Sequence, residues 1–356
     1  MFVTIVFTLL LFVIFAFLSV DAYIGINEWQ SRIHIGRWND REKWQKAIEK
    51  KAEAWLNHSP TVRVTNQHRL LLLDMFSGKF RSSTIQTWQT AGLLLGLDKS
   101  SAEKYVKAHP NLFTQKDVLP EDFLLAYALK KYGLLSDEQE RTILAVCQDV
   151  KDVGTIYYRS WVKKLRFVDT LGMVLPFLHA CGWDDLAERQ VEEYDKALLN
   201  GVFPAHAFNV EKNLPMGVFD WGRGIGWYIL ALIETVDMDG QDVRIMNLAK
   251  ALLPLQREDG GFSCFIFNQQ ERMESSGTVL IGLLFVSAYQ ITHDKIFLES
   301  ASKVEKALMK VTRRDGALDN CQGDTYGIGY YSQIFSVMPF AQGLALKFSR
   351  ELDGFI

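Results

Sequence analysis

The sequence predicts an all-α protein: an (α/α)6 toroid of six helical hairpins, preceded by an N-terminal transmembrane helix. Three observations carry this prediction. Apolar residues recur with helical spacing along most of the chain, and no stretch shows sustained period-two alternation, so strands must be short and few. Short glycine-bearing turns recur at intervals of roughly 45–60 residues, about two helices apart. The first twenty residues carry no charged side chain.

The glycine-bearing turns form a weak internal repeat. One helical hairpin cannot bury its own apolar face, so successive hairpins must pack against one another. Six such hairpins need about 300–350 residues, which matches the chain beyond its N-terminal segment. We therefore predict a closed ring, with an open solenoid as the alternative, and expect function in the central funnel where the glycine-rich loops gather. The turns are 152–157, 200–203, 258–262 and 314–318.

Helix boundaries follow from apolar spacing and capping residues. Pro120 suits a helix start, and Glu121 and Asp122 are favourable beside the positive helix end. Ser136 and Asp184 are predicted N-caps. The predicted helices are 40–56, 82–97, 100–108, 120–132, 136–150, 167–181, 185–199, 224–236, 241–255, 275–291, 294–311 and 329–352.

The N-terminal segment divides the chain into an anchor or signal segment (1–22), a linker (23–39) and the toroid domain (40–356). About twenty apolar residues can cross a bilayer as a helix. No Lys or Arg precedes the apolar run, which disfavours a cleaved signal peptide. We predict an uncleaved single-pass membrane anchor. The basic residues that follow it predict that the toroid domain lies in the cytoplasm, with secretion after signal cleavage as the alternative.

Composition narrows the possible functions. The net charge is −3, and no Lys/Arg block is present, so we expect no nucleic-acid partner. Nine Trp and twelve Tyr fit a carbohydrate cleft but fit an ordinary large core equally well. The four cysteines have neither CxxC nor zinc spacing, so we expect no metal site.

The segment 221–227 is the most unusual in the chain. Its glycines alternate with Trp221, Arg223 and Trp227 at a predicted helix start. Glycine lets backbone approach a ligand closely, and a fixed guanidinium suits a carboxylate. A Trp face suits a sugar ring. The structural alternative is a loop with a cation–π contact and a tight helix crossing.

Asp169 is the only acid in the long apolar run 167–178. A carboxyl group in apolar surroundings keeps its proton to higher pH, because its charged form is poorly solvated. That property suits a general acid. The alternative is a helix N-cap that pairs with Arg166.

Three further candidates are weaker. His206 lies between aromatic residues in a predicted loop, where it could hold a sugar hydroxyl or a carboxylate, or simply pack. Asp117 precedes a helix start and is as well explained as a cap or turn residue. Glu274 precedes an apolar helix, where capping is again the simpler interpretation.

In their order, these segments resemble the unsaturated glucuronyl and rhamnogalacturonyl hydrolases of glycoside hydrolase families 88 and 105. The resemblance covers about residues 117–348. Residues 169–178 resemble the family's Asp-x-Leu-x-Met…Pro-Phe-Leu helix start, and 221–227 resemble its WGRGNGW segment. Residues 201–206 resemble a His-bearing loop, 274–277 resemble the ETSGSA segment, and 323–331 resemble a late loop. Residues 117–120 resemble, more weakly, the segment of the family's second active-site Asp. Two positions depart from the family: Ile225 replaces Asn, and Gly172 replaces a larger residue.

The resemblance implies roles for these residues. Asp169 is expected to be the catalytic acid/base, with Asp117 as the second active-site acid. His206, Trp221, Arg223, Trp227 and Glu274 are expected to contact the substrate.

The implied reaction is hydration of the C4=C5 enol ether in a terminal unsaturated uronic acid, which releases that sugar from an oligosaccharide. The resemblance implies no cofactor. Two alternatives remain: a conventional glycosidase that uses two carboxylates on a saturated substrate, and a non-catalytic, membrane-tethered glycan-binding protein of surface-polysaccharide assembly.

Overall fold

A computed structural model describes residues 1–58, 60, 62–63, 69–78, 82–83, 87–114, 117–150 and 154–356. Within these residues the helices are, in chain order, α1 (Phe2–Arg32), α2 (Arg41–Asn57), α3 (Leu71–Phe76), α4 (Thr87–Gly96), α5 (Lys99–Ala108), α6 (Pro120–Lys131), α7 (Asp137–Val150), α8 (Val168–Ala180), α9 (Asp184–Asp195), α10 (Gly222–Ile233), α11 (Gln241–Leu252), α12 (Ser275–Thr292), α13 (Lys295–Lys310) and α14 (Pro339–Asp353).

Alternate helices form a closed inner ring. In order, α4, α6, α8, α10 and α12 each pack on the next of these helices, α12 packs on α14, and α14 packs back on α4. The intervening helices α2, α5, α7, α9, α11 and α13 lie outside this ring. The predicted (α/α)6 toroid is thereby confirmed, and the contact between α14 and α4 excludes an open solenoid.

The two ends of the ring differ. Each inner helix follows a long connection from its outer partner, and a short turn such as 97–98 or 293–294 leads to the next outer helix. The N-termini of the inner helices therefore lie at one end, which we call the funnel end, and the short turns lie at the far end. The long connections are 58–86, 109–119, 151–167, 196–221, 253–274 and 311–338.

Glycines close the ring. Gly92 and Gly96 on α4 face Gly343 on α14, and a methyl group at Gly96 would overlap the carbonyl oxygen of Gly343. A methyl group at Gly343 would in turn overlap the carbonyl of Gly92. Backbone packs directly on backbone here, which only glycine permits. The first and last inner helices thus meet at a contact that tolerates no side chain.

Strands are short, as the sequence predicted. Each described strand has two or three residues: β1 (Val62–Arg63), β2 (Ser82–Ser83), β3 (Leu165–Phe167), β4 (Leu198–Leu199), β5 (Phe203–Pro204), β6 (Ala207–Asn209), β7 (Leu214–Met216), β8 (Cys321–Gln322) and β9 (Phe335–Ser336). Antiparallel pairing joins β3 to β6 and β6 to β7. This small sheet fixes the start of α8 beside the loop that carries His206.

The predicted helix 329–352 begins ten residues too early. Residues 329–338 form an extended loop, because their backbone groups pair with β8 instead of with one another. The Gly323 N–H donates to the Ile334 carbonyl at 2.8 Å, and the Gln322 side chain donates to the Ser332 carbonyl at 3.0 Å. Pro339 then occupies the first helical position, where its missing N–H costs nothing.

Other predicted boundaries also shift. Ser82 belongs to β2, and its helix begins at Thr87. Asp184 is not a cap: the N-cap of α9 is Trp183, and the Asp184 carboxylate lies 2.7 Å from Nδ1 of His179. The first two residues of the predicted turn 152–157 lie outside the described residues.

The N-terminal helix α1 continues past residue 22 to Arg32, so residues 23–32 of the predicted linker form its last turns. It is long and apolar enough to cross a membrane, and it contains no buried residue. Among the described residues α12 meets the same criteria of length and composition, but it is a largely buried core helix.

Candidate active site

A pocket of about 150 Å³ opens at the funnel end. Ligand clefts usually enclose about 300–1,000 Å³, so this pocket suits one terminal sugar residue better than a longer chain. Its walls come from the first two turns of α4, α8 and α10 and from the connections that precede α8, α10 and α14. The lining residues are Trp88, Tyr158, Asp169, Met173, Trp221, Arg223, Trp227, Asp324 and Thr325.

Asp169 is the second residue of α8 and faces this pocket. The helix start is held by a hydrogen bond from the Val168 N–H to the His206 carbonyl at 3.1 Å. Arg166 does not pair with Asp169; it binds Glu193 at 3.1 Å instead. The N-cap is Phe167, so the capping alternative for Asp169 is not observed.

The surroundings of Asp169 tune its acidity. Burial raises the pKa of this carboxyl to about 6, and the negative charge of Glu121 acts in the same direction. The Thr170 N–H, which donates to Oδ1 at 3.0 Å, and the positive charge of Arg223 oppose the shift. Asp169 can therefore give and take a proton near neutral pH.

Glu121 is the acid that lies near Asp169. In the first turn of α6 it accepts two hydrogen bonds from the Arg159 guanidinium, at 2.5 and 3.1 Å, and one from the Tyr158 hydroxyl at 3.3 Å. Asp117 is exposed and lies outside the pocket lining. It does not cap α6 either, because Asp122 receives the hydrogen bond from the backbone N–H of the N-cap residue.

Arg223 is buried, and its guanidinium is partly committed to the backbone. It donates to the Gln322 carbonyl and, at 2.7 Å, to the Gly323 carbonyl. The guanidinium carbon lies 5.3 Å from the centre of the Trp221 ring, so the predicted cation–π contact is present beside the pocket. Arg223 thus ties α10 to the β8 loop while it contributes positive charge to the pocket wall.

Close approach at the start of α10 requires glycine. A methyl group at Gly277 on α12 would lie 2.7 Å from the carbonyl oxygen of Gly222. On the pocket side, a methyl group at Gly172 would lie 2.5 Å from the carbonyl oxygen of Trp227. Gly172 therefore lets α8 and α10 approach closely, which explains the small residue in this chain.

Trp221 is wedged between two rings. The His206 ring centre lies 4.7 Å away and that of Tyr331 lies 5.2 Å away, while the indole N–H donates to the Gln322 side chain at 3.0 Å. His206 is buried behind Trp221, outside the pocket lining, with Nδ1 3.1 Å from the Tyr331 hydroxyl. Burial, aided by Arg223, lowers the His206 pKa to about 4, so the ring is neutral at pH 7.

Glu274 caps α12 and supports the same wall. Its carboxylate accepts from the backbone N–H groups of Ser276 (3.0 Å), Gly277 (2.6 Å) and Gln322 (3.1 Å). The capping alternative is thus observed. Glu274 lies outside the pocket lining and holds Gln322, which in turn holds Trp221 and Arg223.

Sequence reasoning missed several lining residues, and Asp324 is the most important. Burial raises the pKa of its carboxyl, against the opposing charge of Arg223. The late loop that carries it was singled out from the sequence, but no role was assigned to this acid. Met173 and Thr325 belong to segments that resemble the family, but no role was assigned to them. Tyr158 and Trp88 had no local signal, because only the ring brings them to the pocket. In the described parts of the chain, no group of three His, Cys, Asp or Glu side chains could hold a metal.

A closed ring of helical hairpins with a pocket of acids and aromatic residues at its funnel end defines the class of this protein as an (α/α)6 toroid. Residues 205–355 match the family model described as Glycosyl Hydrolase Family 88. This match and the shared fold confirm the resemblance to glycoside hydrolase families 88 and 105. Comparison with curated protein sequences gave no significant match.

Solved structures share the whole fold at low sequence identity. A possible member of family 105 from Klebsiella pneumoniae is 14% identical, with a TM-score of 0.69 over 90% of this chain and 95% of the other. An unsaturated glucuronyl hydrolase specific for heparin is 16% identical, with a TM-score of 0.67 over 88% and 98%. The unsaturated glucuronyl hydrolase of Bacillus sp. GL1 is 14% identical, with a TM-score of 0.65 over 87% and 97%.

Proposed function

We propose that this protein releases a terminal unsaturated uronic acid from an oligosaccharide by hydrating its C4=C5 double bond. The observation that carries the proposal is Asp169, whose carboxyl has a pKa of about 6 and faces a pocket with room for one sugar residue. Similarity to solved structures named as unsaturated glucuronyl hydrolases supports it.

The reaction uses Asp169 twice. Its protonated carboxyl donates a proton to C4, and positive charge develops at C5, where the ring oxygen shares it. Water adds to C5 while the Asp169 carboxylate takes its proton, so the enzyme returns to its starting state after the net addition of one water. The resulting hemiketal opens, and the hemiacetal left at C1 then releases the rest of the oligosaccharide.

The residues around Asp169 bind and position the substrate. Arg223 attracts the substrate carboxylate, and Trp221 and Trp227 form the walls against which the sugar lies. His206 and Glu274 position those walls from behind, because neither reaches the pocket lining. Glu121 takes the place of second acid that the sequence suggested for Asp117. Its negative charge helps to keep the proton on Asp169.

The activity should depend on pH through Asp169. A folded-state pKa of about 6 means that the reactive protonated form is lost above that pH. We expect kcat/KM to be level below pH 6 and to fall toward tenfold per pH unit above it. A pH profile of initial rates tests this. A rate that stayed constant from pH 6 to pH 9 would contradict the role of Asp169 as proton donor.

A conventional glycosidase remains the second candidate, because Asp169 and Asp324 line one pocket and could act as its two carboxylates. The variant Asp324→Asn separates the two functions. Hydration needs only Asp169, so we expect kcat to stay within about tenfold of wild type. Two-carboxylate hydrolysis needs both groups, so a loss as large as that of an Asp169 variant would favour the conventional glycosidase.

A substrate panel tests the proposal and the non-catalytic alternative together. The full chain is incubated with unsaturated uronyl disaccharides and with their saturated counterparts. Loss of ultraviolet absorbance from the unsaturated members alone is expected. Turnover of the saturated members would support a conventional glycosidase, and binding without turnover would support a glycan-binding protein.

The helix α1 is proposed to be an uncleaved membrane anchor. Asp21 on α1 accepts hydrogen bonds from the Leu70 and Leu71 N–H groups at 2.7 and 2.9 Å, and Arg32 binds Asp319 at 2.8 and 2.9 Å. These contacts join α1 to the toroid on both sides of residue 22. The basic residues after α1 favour a cytoplasmic catalytic domain, with secretion as the alternative.

A further inference from the structure

The anchor helix joins the toroid at its funnel end. The Arg32 guanidinium binds the buried Asp319 carboxylate and donates to the Phe335 carbonyl at 2.6 Å. Just beyond α1, the Gly36 N–H donates to the Thr312 carbonyl at 3.1 Å. These partners lie in the connection 311–338, which leads to the N-terminus of the inner helix α14.

A second attachment lies at the same end. Asp21 accepts hydrogen bonds from the backbone of Leu70 and Leu71 at the start of α3, and α3 packs against α1. The helix α3 belongs to the connection 58–86, which leads to the inner helix α4. Both attachments are therefore to long connections, so the apolar span of α1 extends from the funnel end.

The rim of the funnel exposes large apolar side chains, which we call the apolar rim. Trp161 and Phe76 are 79% and 78% exposed. Lys163 and Lys164 are exposed beside Trp161. Trp and Tyr with flanking Lys are typical of the membrane–water interface, where a ring lies at headgroup level and an ammonium group reaches the phosphates. The apolar rim consists of Leu73, Phe76, Trp161, Leu214, Phe267 and Tyr330.

Members of the apolar rim come from five of the long connections in the described chain. None of the six lines the pocket, so pocket chemistry does not explain their exposure. Large apolar side chains left exposed in a folded protein can mark an interaction site, and these six all lie in connections at the funnel end. The surface nearest to this rim is the bilayer that α1 would enter, because α1 leaves the toroid on the same side.

We propose that the funnel end rests on the membrane that holds α1, with the apolar rim in the headgroup layer. The partner is a lipid surface, and the inference rests on the proposed anchor. The pocket mouth then faces the membrane, and Arg32 sets this orientation because it ties α1 to the loop that carries Asp324. The saccharides that reach Asp169 are consequently those presented at the membrane surface.

The test uses the full chain reconstituted into vesicles of phosphatidylcholine and phosphatidylglycerol. The half-buried Cys181 is replaced by Ser so that it does not react with the label. The other three cysteines are buried and are kept. Single cysteines that carry an environment-sensitive fluorophore are then placed at Trp161→Cys and Leu214→Cys. Matched controls at the far end are Val243→Cys and Ile296→Cys, whose native side chains are also exposed. Phe12→Cys reports whether α1 is inserted.

We expect headgroup-labelled nitroxide lipids to quench the two rim positions at least threefold more strongly than the far-end positions. Equal quenching at both ends, with Phe12→Cys protected from aqueous quenchers, would overturn the proposed orientation while α1 remains an anchor. A Phe12→Cys label that stays open to aqueous quenchers would overturn the anchor and this inference with it. Rim labels that respond to soluble saccharide and not to lipid would identify the rim as a sugar surface and also overturn it.

Discussion

Asp169→Asn is expected to abolish turnover while it stabilises the fold above pH 7. The amide preserves the shape of the side chain but has no proton to donate to C4. Loss of a positioned acid–base group typically lowers the rate by about 10²–10⁴-fold, and here one group serves both steps. Single-turnover assays with an unsaturated disaccharide measure this loss.

The stability gain follows from the sign of the pKa shift. The folded-state pKa of Asp169 is about 6, above the ordinary value of 3.8, so the folded state binds this proton more tightly than the unfolded chain. Stability is therefore lost as the pH rises from about 4 to about 6, where the unfolded chain ionises before the folded one, and the full loss of roughly 2–3 kcal/mol applies at pH 8. Asn carries no charge and escapes this penalty, so urea unfolding at pH 8 should show a higher midpoint.

A matched control separates chemistry from structure. Asp242 also occupies the first turn of a helix, but it is exposed at the far end of the ring. Asp242→Asn should leave the rate unchanged. If Asp169→Asn lost activity and stability together, Asp169 would be a structural residue, and the proposed mechanism would fail.

Gly343→Ala is expected to destabilise the closed ring. The added methyl group would overlap the Gly92 carbonyl and the Leu93 backbone, neither of which can move without separating α14 from α4. Overpacking of this kind costs about 1–3 kcal/mol and occasionally more, whereas Ala in a helix would otherwise stabilise by up to about 1 kcal/mol. Because these two effects have opposite signs, a lower free energy of unfolding in Gly343→Ala than in wild type would be due to the steric overlap.

The control for this variant is Gly327→Ala in the loop that follows β8. A methyl group there meets nothing within 4 Å, and the unfolding midpoint should not change. Chemical denaturation of the three proteins measures the difference. A Gly343→Ala protein as stable as wild type would show that the contact between α4 and α14 can relax, and that ring closure does not depend on it.

Much of the fold follows from local sequence. Apolar spacing and turns define most of the helices within a few residues, and the repeat length leads to the ring. The helix predictions were wrong where residues distant in sequence determine the local conformation. Residues 329–338 look helical in isolation, but the Ile334 carbonyl accepts from the Gly323 N–H and the Ser332 carbonyl accepts from the Gln322 side chain. No local pattern shows that pairing.

Some residues of the candidate site could likewise be predicted from local sequence, and others could not. Asp169 stands out because it is a lone acid in an apolar run, and the Gly, Arg and Trp of 221–227 stand out by composition. Glu121 and Asp324 do not, since one looks like a favourable helix-start acid and the other like a loop acid. Only the closed ring brings Glu121 near Asp169 and places Asp324 in the same pocket. Conversely, Glu274 has the local pattern of a site residue and serves as a helix cap.

The most direct test of the central claim is the fate of solvent hydrogen at C4. The full chain is incubated with an unsaturated uronyl disaccharide in D2O, and the released uronic acid is analysed by mass spectrometry and NMR at early times. Hydration through Asp169 predicts one deuterium on C4 in each product molecule, formed as the ultraviolet absorbance is lost. Release of the second sugar while the uronic acid keeps its C4=C5 bond and gains no deuterium on carbon would contradict the account.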